Sequence, residues 1–429
     1  MLDMLLDVLK ASGASAWEVT DLQETGWEFY FIRHRLDQNR AKKVEHITVK
    51  VYQKSEDGQF LGSASGEIPP TASRAEAEKL VGDLLLSASF VRNPAYSLRS
   101  GSREEPRRSA ADVRDSAARF IRTLNSLLET PESDLNSYEI FTSEVTRRFV
   151  TSEGIDVTSV YPSSMVEAVV NARDAEHEIE LYRLYHSGSC DENQLSRDLT
   201  ETMRYGLDKL KTAPTPALGQ VDVVFSTDAA LEIYDWFLMR TNTAFLFQRI
   251  SDWTVGKAVC DAPTGDRLTL KTVRELPNSS SNAAYDNEGA PVRDLTLIED
   301  GVVKAHWGSR QFSQYMGEED CFLVGNVEVS GGTADEDGLR QGDFMEIVEF
   351  SDFQVSALNG DVAGEIRLAY WHHGGEVTPV SGGSISGSMA DYAPAMRASR
   401  AQRQYNDRLI PSVTRLYGVK LAGVEQDGE

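Results

Sequence analysis

Apolar and polar residues alternate along much of the C-terminal part of this chain, and turn-forming pairs interrupt the alternation at short intervals. The alternation is clear at residues 350–355 and again at residues 365–371. Asn359-Gly360 and Gly374-Gly375 break these runs, and such pairs favour the tight turns of antiparallel hairpins. Residues 350–380 are therefore predicted to form antiparallel strands.

The first hundred residues mix helical and strand periodicity. Leucines at positions 2, 5, 6 and 9 lie on one face of a first predicted helix, which Gly13 can end. A second helix is predicted from Ser73 to about Val91, because Ser73 and Glu76 have the spacing of a capping box. Between the helices, strands are predicted at residues 27–33, 46–52 and 60–65, with a hairpin turn at Asp57-Gly58.

The same reasoning divides the rest of the chain. A helix with an apolar stripe is predicted at residues 113–127, strands within residues 138–185 around a turn at 152–154, and another helix at residues 195–210. The proline-containing stretch at residues 212–216 marks a boundary, followed by a buried strand at 221–225 and a helix from about Ala229. The predicted fold class is α+β. We predict an N-terminal α+β domain (1–100), a central α+β domain (108–212) and a strand-rich, barrel-like C-terminal domain (220–429).

Composition narrows the function classes. The chain has 429 residues and a formal net charge of −24, which argues against binding nucleic-acid phosphates through clustered lysine and arginine. Its three cysteines are widely spaced and odd in number, so they predict no disulfide framework and fit a reducing compartment. No secretory signal and no membrane span are expected. We therefore expect a cytoplasmic protein that binds neither nucleic acid nor membrane.

Three segments resemble the TldD/PmbA (TldD/TldE) family. They are residues 285–291 (Tyr-Asp-Asn-Glu-Gly-Ala-Pro), residues 297–303 (Leu-Ile-Glu-Asp-Gly-Val-Val) and the region from residue 350 to the C-terminus. The resemblance implies helix-and-sheet domains followed by a barrel. It also implies kinship with zinc peptidases, whose active members carry HExxxH on the helix after the first C-terminal strand. There, two histidines bind zinc and the glutamate polarises the bound water.

By that resemblance the zinc motif should fall near residues 232–237, which read Glu232-Ile233-Tyr234-Asp235-Trp236-Phe237. Neither histidine is present, and none occurs between His186 and His306. The cysteine that serves as the third ligand in zinc-binding members is also missing, because no cysteine follows Cys321. We predict no catalytic and no metal-binding residue in this chain. Core packing is the default expectation for the aromatic residues here, and contact with a partner or a peptide is the alternative. The five degenerate motif positions that are candidates for such contacts are Glu232, Ile233, Tyr234, Trp236 and Phe237.

Other candidate sites are weaker. His177-Glu178 begins like a zinc motif, but the next histidine is His186. The adjacent His372 and His373 would point to opposite faces of a strand and could not share a metal. Lone His306, Cys260 and Cys321 are expected to be packed residues. Residues 383–387 (Gly-Ser-Ile-Ser-Gly) are expected to be a strand or turn rather than a nucleophile elbow.

By resemblance, the chain is a non-catalytic TldE/PmbA-type subunit. Its expected partner is a TldD-type zinc peptidase, which would contribute the zinc to a heterodimer that degrades or matures unfolded peptides. No cofactor is expected in this chain itself. The alternative is a stand-alone homodimer that binds peptides without protease activity, and a peptidase with a relocated metal site is a third option. The sequence does not separate the first two.

Overall fold

The computed structural model describes residues 1–109, 112–318 and 321–424. Helices of the N-terminal half are α1 (Leu2–Ala11), α2 (Arg74–Ser89), α3 (Val113–Asn125) and α4 (Glu192–Lys209). Its strands are β1 (Ala16–Ile32), β2 (Arg35–Lys54), β3 (Leu61–Ile68), β4 (Arg107–Arg108), β5 (Ser133–Thr151), β6 (Asp156–Arg173) and β7 (Glu178–Ser187). The predicted helices and strands of this half are confirmed, although β1 and β2 extend well beyond their predicted runs.

Local sequence explains most of these boundaries. The capping box of α2 is present, because the Ser73 side chain accepts from the Glu76 N–H and the Glu76 carboxylate accepts from the Ser73 N–H. Gly58 and Gly154 adopt left-handed φ values of 71° and 92° in the turns after β2 and β5. The turn between β1 and β2 was not predicted. Arg33 and His34 form it with φ of 45° and 61°, although neither residue is typical of such turns.

The seven N-terminal strands form one sheet. Its order is β3-β2-β1-β5-β6, and both β4 and β7 pair with β6 on the far side. Val19 and Phe29 are an even number of residues apart on β1, so they lie on the same face. Val19 packs against α1 and α2, and Phe29 packs against α3 and α4. All four helices therefore cover one face of the sheet, and β7 lies at an edge.

The C-terminal half is built mainly from shorter strands. These are β8 (Ala213–Pro214), β9 (Gly219–Phe225), β10 (Thr269–Val273), β11 (Leu295–Glu299), β12 (Val302–Val303), β13 (Asn326–Ser330), β14 (Phe344–Val355), β15 (Asp361–His373), β16 (Glu376–Ser381), β17 (Ser384–Ser388), β18 (Arg397–Ala398), β19 (Gln402–Tyr405), β20 (Arg408–Pro411) and β21 (Thr414–Ala422). Its helices are α5 (Ala230–Arg240), α6 (Thr243–Phe247), α7 (Arg310–Tyr315), α8 (Glu336–Leu339) and α9 (Met389–Tyr392), with a 3-10 turn at Ala393–Ala395.

Five of these strands close into a barrel in the order β14-β9-β21-β17-β15, because β15 pairs back onto β14. A second sheet has the order β12-β11-β10-β13-β20-β19. One hydrophobic core joins the barrel, the second sheet and α5. The predicted hairpins are confirmed: β14 and β15 meet at Gly360, and β15 and β16 meet at Gly374-Gly375, all with left-handed φ.

The α+β class and the barrel-like C-terminal domain are confirmed. Strand β1 pairs with both β2 and β5, so strands from the first two predicted domains belong to one sheet. The division into three domains stays a prediction, and the predicted end at residue 429 lies outside the described residues. No helix in the described part of the chain is long and apolar enough to cross a membrane.

Candidate functional site

A cavity of about 720 Å³ lies between the N-terminal sheet and the C-terminal barrel. The edge strand β7 provides one wall through residues 181–186, and α4 provides another. Strand β14, Arg367 of β15, residues 227–235 at the start of α5, and the β19–β20 hairpin complete the lining. The predicted degenerate zinc helix therefore borders the cavity, where the two halves of the molecule meet.

Helix α5 has two chemically different faces. Leu231, Glu232 and Asp235 line the cavity. The opposite face is buried in the core and comprises Ile233, Tyr234, Trp236 and Phe237, none more than 7% exposed. Successive helical residues are rotated by about 100°, so neighbouring motif positions cannot all face one side.

Packing accounts for the large aromatic side chains on the buried face. Tyr234 satisfies its hydroxyl through a 2.6 Å hydrogen bond with the hydroxyl of Thr414. The Trp236 and Phe237 rings lie 5.4 and 6.0 Å from the Trp253 ring, measured between centroids. Ile233, fully buried, belongs to the same core. Of the five predicted contact positions, the structure places four in the core and only Glu232 on the cavity.

The cavity face of α5 does not carry the histidine ligands that bind zinc in active members of the family that the sequence resembles. Zinc sites in proteins use imidazole and thiolate groups, often with one carboxylate, whereas α5 presents the carboxylates of Glu232 and Asp235. Aligning HExxxH one residue earlier places Glu232 at the glutamate position, but Leu231 and Trp236 at the histidine positions. Within residues 1–109, 112–318 and 321–424, no group of three or more His, Cys, Asp or Glu side chains could hold a metal ion.

Ion pairs cross the cavity. Seven carboxylates and four guanidinium groups line it. Arg183 pairs with Glu349, Arg403 Nη2 lies 2.8 Å from Asp198 Oδ1, and Arg408 Nε lies 3.0 Å from Asp235 Oδ1. The first pair links β7 to strand β14 of the barrel, and the other two link α4 to β19 and α5 to β20.

Asp228 and Glu232 also line the cavity, where α5 begins. Neither carboxylate takes part in an ion pair within the described part of the chain. Glu232 accepts only a long 3.4 Å hydrogen bond from the Val355 N–H. Partial burial raises the pKa of Glu232, and the nearby charges of Asp235 and Asp352 raise it further against the opposing effect of that N–H. The turn before α5 and the first turn of the helix therefore present uncompensated negative charge to the cavity.

Strand β7 exposes an edge along the cavity. It pairs with β6 on one side. The Glu180 carbonyl accepts from Arg367 Nη2 at 2.9 Å and the Tyr182 carbonyl accepts from Arg183 Nη1 at 3.0 Å, so these carbonyls point away from β6. Alternate residues of a strand direct their backbone groups to the same side. The N–H and C=O groups of Leu184 and His186 therefore face the open edge.

The other candidate residues are dispersed. His177 immediately precedes β7 and His186 lies near the other end of the strand, and only His186 borders the cavity. His306 is buried, with Nδ1 bonded to the Glu318 carboxylate and Nε2 to the Trp253 carbonyl. His372 stacks on Phe344 and His373 on Trp371, on opposite faces of β15 as predicted.

None of the three cysteines has the environment of a nucleophile. Cys190 and Cys321 are buried and Cys260 is partly buried. Burial raises the pKa of the Cys190 thiol to about 12 and those of Cys260 and Cys321 to about 11. The thiolate is the nucleophilic form, so all three remain protonated thiols at neutral pH.

Sequence reasoning missed most of the cavity lining. Tyr185, Arg403 and Tyr405 carried no motif that marks a site, and the structure brings them together with α5. The one usable signal was the prediction of strands within residues 138–185, which include most of β7. A strand prediction does not show that the strand has an open edge.

Comparisons with known proteins follow the same division of the chain. The model of the PmbA/TldA metallopeptidase C-terminal domain matches residues 218–423. A search of curated proteins found no match. The fold is similar to that of TldE from Thermococcus kodakarensis, with a TM-score of 0.77 and 15% identity over 98% of this chain and 100% of that chain. A proposed modulator of DNA gyrase from Bacteroides thetaiotaomicron has a TM-score of 0.77 and 16% identity over 98% of both chains. At such identities the likeness establishes the fold alone.

Proposed function

Because the chain belongs, through its C-terminal domain, to the TldD/PmbA family of metallopeptidase-like proteins, we propose that it is a non-catalytic subunit of the TldE/PmbA type. A TldD-type peptidase is its proposed partner and supplies the zinc. Together the two subunits degrade or mature unfolded peptides. This chain holds the peptide and forms part of the enclosing wall.

The observation that carries the proposal is the cavity face of α5. Metal-assisted peptide hydrolysis requires a Lewis acid that lowers the pKa of a bound water. Leu231, Glu232 and Asp235 occupy this face, and Asp235 is paired with Arg408. By the sequence resemblance, α5 corresponds to the helix that carries the zinc motif in active members of the family, and its cavity face carries no imidazole group.

The open edge of β7 supports the peptide-binding part of the proposal. An extended peptide can add a strand to such an edge through main-chain hydrogen bonds. The backbone groups of Leu184 and His186 face the edge, and the same strand forms a wall of the cavity. Because this mode reads the peptide backbone, it accepts many sequences, as a protease complex for unfolded peptides requires.

The proposal is tested by co-purifying the chain with the zinc-bearing homologue from the same organism. We expect a stable complex, no hydrolysis of an unstructured peptide by this chain alone, and metal-dependent hydrolysis by the mixture. Cleavage by the isolated chain would overturn the proposal. A stable homodimer that binds peptides and neither joins nor activates the homologue would replace it with the stand-alone alternative.

A matched pair of variants tests the edge strand. Leu184→Pro removes an N–H that faces the open edge and leaves the bonds to β6 in place, a position where edge strands tolerate proline. Leu184→Ala removes the side chain and keeps the N–H. We expect the proline variant to lose peptide-dependent activity in the complex and the alanine variant to retain it, with both melting close to the unchanged protein. Equal activity of the two variants would exclude strand addition at β7.

A further inference from the structure

Four buried polar side-chain atoms that lack a hydrogen-bond partner line the cavity. They are Tyr185 Oη, Thr227 Oγ1, Arg403 Nε and Tyr405 Oη. Buried polar groups are nearly always satisfied in folded proteins, and leaving one unsatisfied costs stability. A concentration of such atoms in one cavity indicates a place that a polar ligand completes.

The charge of the cavity selects a cation. Its seven carboxylates outnumber its four guanidinium groups, and the guanidinium groups of Arg183, Arg403 and Arg408 are already paired. Asp228, in the turn before α5, and Glu232, in its first turn, remain without a counter-ion within the described part of the chain. The N-terminus of a helix offsets only about half a charge, so a net negative field remains at this end of the cavity.

The available partners also specify the shape of the cation. Hydroxyl and carboxylate oxygens at Tyr185, Thr227, Tyr405 and Asp228 accept hydrogen bonds, and a primary ammonium brings three donors. Arg403 Nε is a hydrogen-bond donor, and an ammonium group has no acceptor to offer it. A carbonyl oxygen next to the ammonium in the same ligand can accept this hydrogen bond. An ammonium next to a carbonyl is the chemistry of the first residue of a peptide chain. A lysine side chain supplies the ammonium alone.

We propose that this cavity binds the primary ammonium of a peptide, supplied by its free N-terminus, with Asp228 as the counter-ion and Arg403 Nε donating to the neighbouring carbonyl. The inference rests on the proposed peptide-binding function and names the part of the substrate that this chain recognises. Tyr185 and Tyr405 contribute accepting hydroxyls. Glu232 adds a second negative charge one helical turn away.

The position of β7 agrees with this assignment. A peptide that pairs antiparallel to β7 begins beside the end of β7 and runs toward Glu178, because antiparallel partners run in opposite directions. Tyr185 and His186 lie near that end and border the cavity. The first residue of the added strand therefore lies next to the proposed ammonium site, whereas the remaining residues follow the open edge.

The test compares three short peptides of the same unstructured sequence. One has a free N-terminus and no lysine, the second is N-acetylated, and the third is N-acetylated with one internal lysine. Binding to the full chain is measured by calorimetry. We expect the free peptide to bind about tenfold more tightly than the acetylated one, a difference of about 1.4 kcal/mol in binding free energy.

Two variants locate the effect. Asp228→Asn should remove most of the preference for the free N-terminus. Asp83→Asn, which neutralises an exposed carboxylate on α2 far from the cavity, should leave the preference unchanged. Loss of the preference in both variants would reduce the effect to overall charge and overturn the site.

The outcomes separate this inference from the proposed function. Equal binding of free and acetylated peptides would overturn the ammonium site and leave peptide binding intact. Full recovery of affinity by the internal lysine would assign the ammonium to lysine side chains and overturn the N-terminal assignment. If no peptide binds in any form, the peptide-binding function fails, and this inference fails with it.

Discussion

The two faces of α5 show how one helix can serve stability and recognition separately. Its core face buries Ile233, Tyr234 and Phe237 with the Tyr234 hydroxyl satisfied, and each buried side chain stabilises the fold by roughly 1.5–3 kcal/mol. Its cavity face carries Glu232 without an ion pair and Asp235 tied to Arg408. The stability of the helix therefore resides on the face away from the cavity, and the cavity face can change its chemistry at little cost in stability.

The strongest test of this comparison pairs one residue from each face. Phe237→Ala should lower the free energy of unfolding by about 3–5 kcal/mol, because it opens a void in a core that cannot collapse freely. Glu232→Ala should change it by no more than about 0.5 kcal/mol, as expected of a residue that projects into an open cavity. Chemical denaturation of both variants measures the difference. Comparable losses in the two variants would mean that the cavity face also holds the helix in place.

The turns of β15 test the same contrast between packed and open surroundings. Gly360 and Gly374 have left-handed φ of 79° and 60°. A Cβ at Gly360 would meet Trp236 Nε1 at 3.0 Å, whereas nothing lies within 4 Å of a Cβ at Gly374. Valine at either position should cost about 1–3 kcal/mol from backbone strain.

Contact with Trp236 should place Gly360→Val at the upper end of that range and leave Gly374→Val at the lower end. Thermal melting of both variants would show the ranking. A reversed ranking would mean that the turn at Gly360 can move away from the helix, and that the core face of α5 is less rigid than its packing indicates.

Structural features that depend on a few neighbouring residues could be predicted from the sequence. The capping box at Ser73 and the glycine turns at Gly360 and Gly374 depend on a few neighbouring residues, and all three predictions are confirmed. The turn at Arg33-His34 could not be predicted, because its left-handed backbone is imposed by the two long strands that it joins and not by turn-forming residues.

The cavity could not be predicted either, for a related reason. Its ion pairs join residues that are far apart in sequence, such as Arg183 with Glu349 and Arg403 with Asp198. No periodicity or spacing connects them, since the tertiary fold alone brings them together. The sequence predicted a helix from about Ala229 but not the rotation of that helix about its axis. This rotation places Glu232 on the cavity and buries Trp236 and Phe237 in the core.

Glu288, which lies outside the cavity, is a second glutamate whose pKa is raised by burial, as it is for Glu232. Glu288 accepts a 2.6 Å hydrogen bond from the Arg310 N–H, and burial raises its pKa from 4.5 to about 7, with a further contribution from Asp286. The folded state therefore favours the protonated form. Its contribution to stability is fully present below about pH 4.5 and is lost as the pH rises through 7.

Glu288→Gln should remove that dependence. Relative to the variant, the unchanged protein should lose about 1–2 kcal/mol of stability between pH 4.5 and pH 7, after allowance for partial hydration of the carboxyl. Unfolding at a series of pH values gives the difference, with Glu56→Gln on the exposed loop after β2 as the control. A flat difference between the unchanged protein and Glu288→Gln would show that the carboxyl remains ionised and hydrated in the folded protein.

The smallest expected effect concerns zinc and bears directly on the cavity face of α5. Glu232 and Asp235 offer carboxylate oxygens, Asp235 is already bound by Arg408, and the nearest motif positions hold Leu231 and Trp236. Carboxylates without imidazole or thiolate partners bind zinc weakly. Elemental analysis of the protein purified without chelator should find well under one zinc per chain, whereas the zinc-bearing homologue treated identically should retain one. A full equivalent that disappears in Glu232→Ala but persists in Asp83→Asn would place a metal on this face. The cavity face of α5 would then be a metal-binding surface, and its role could include catalysis.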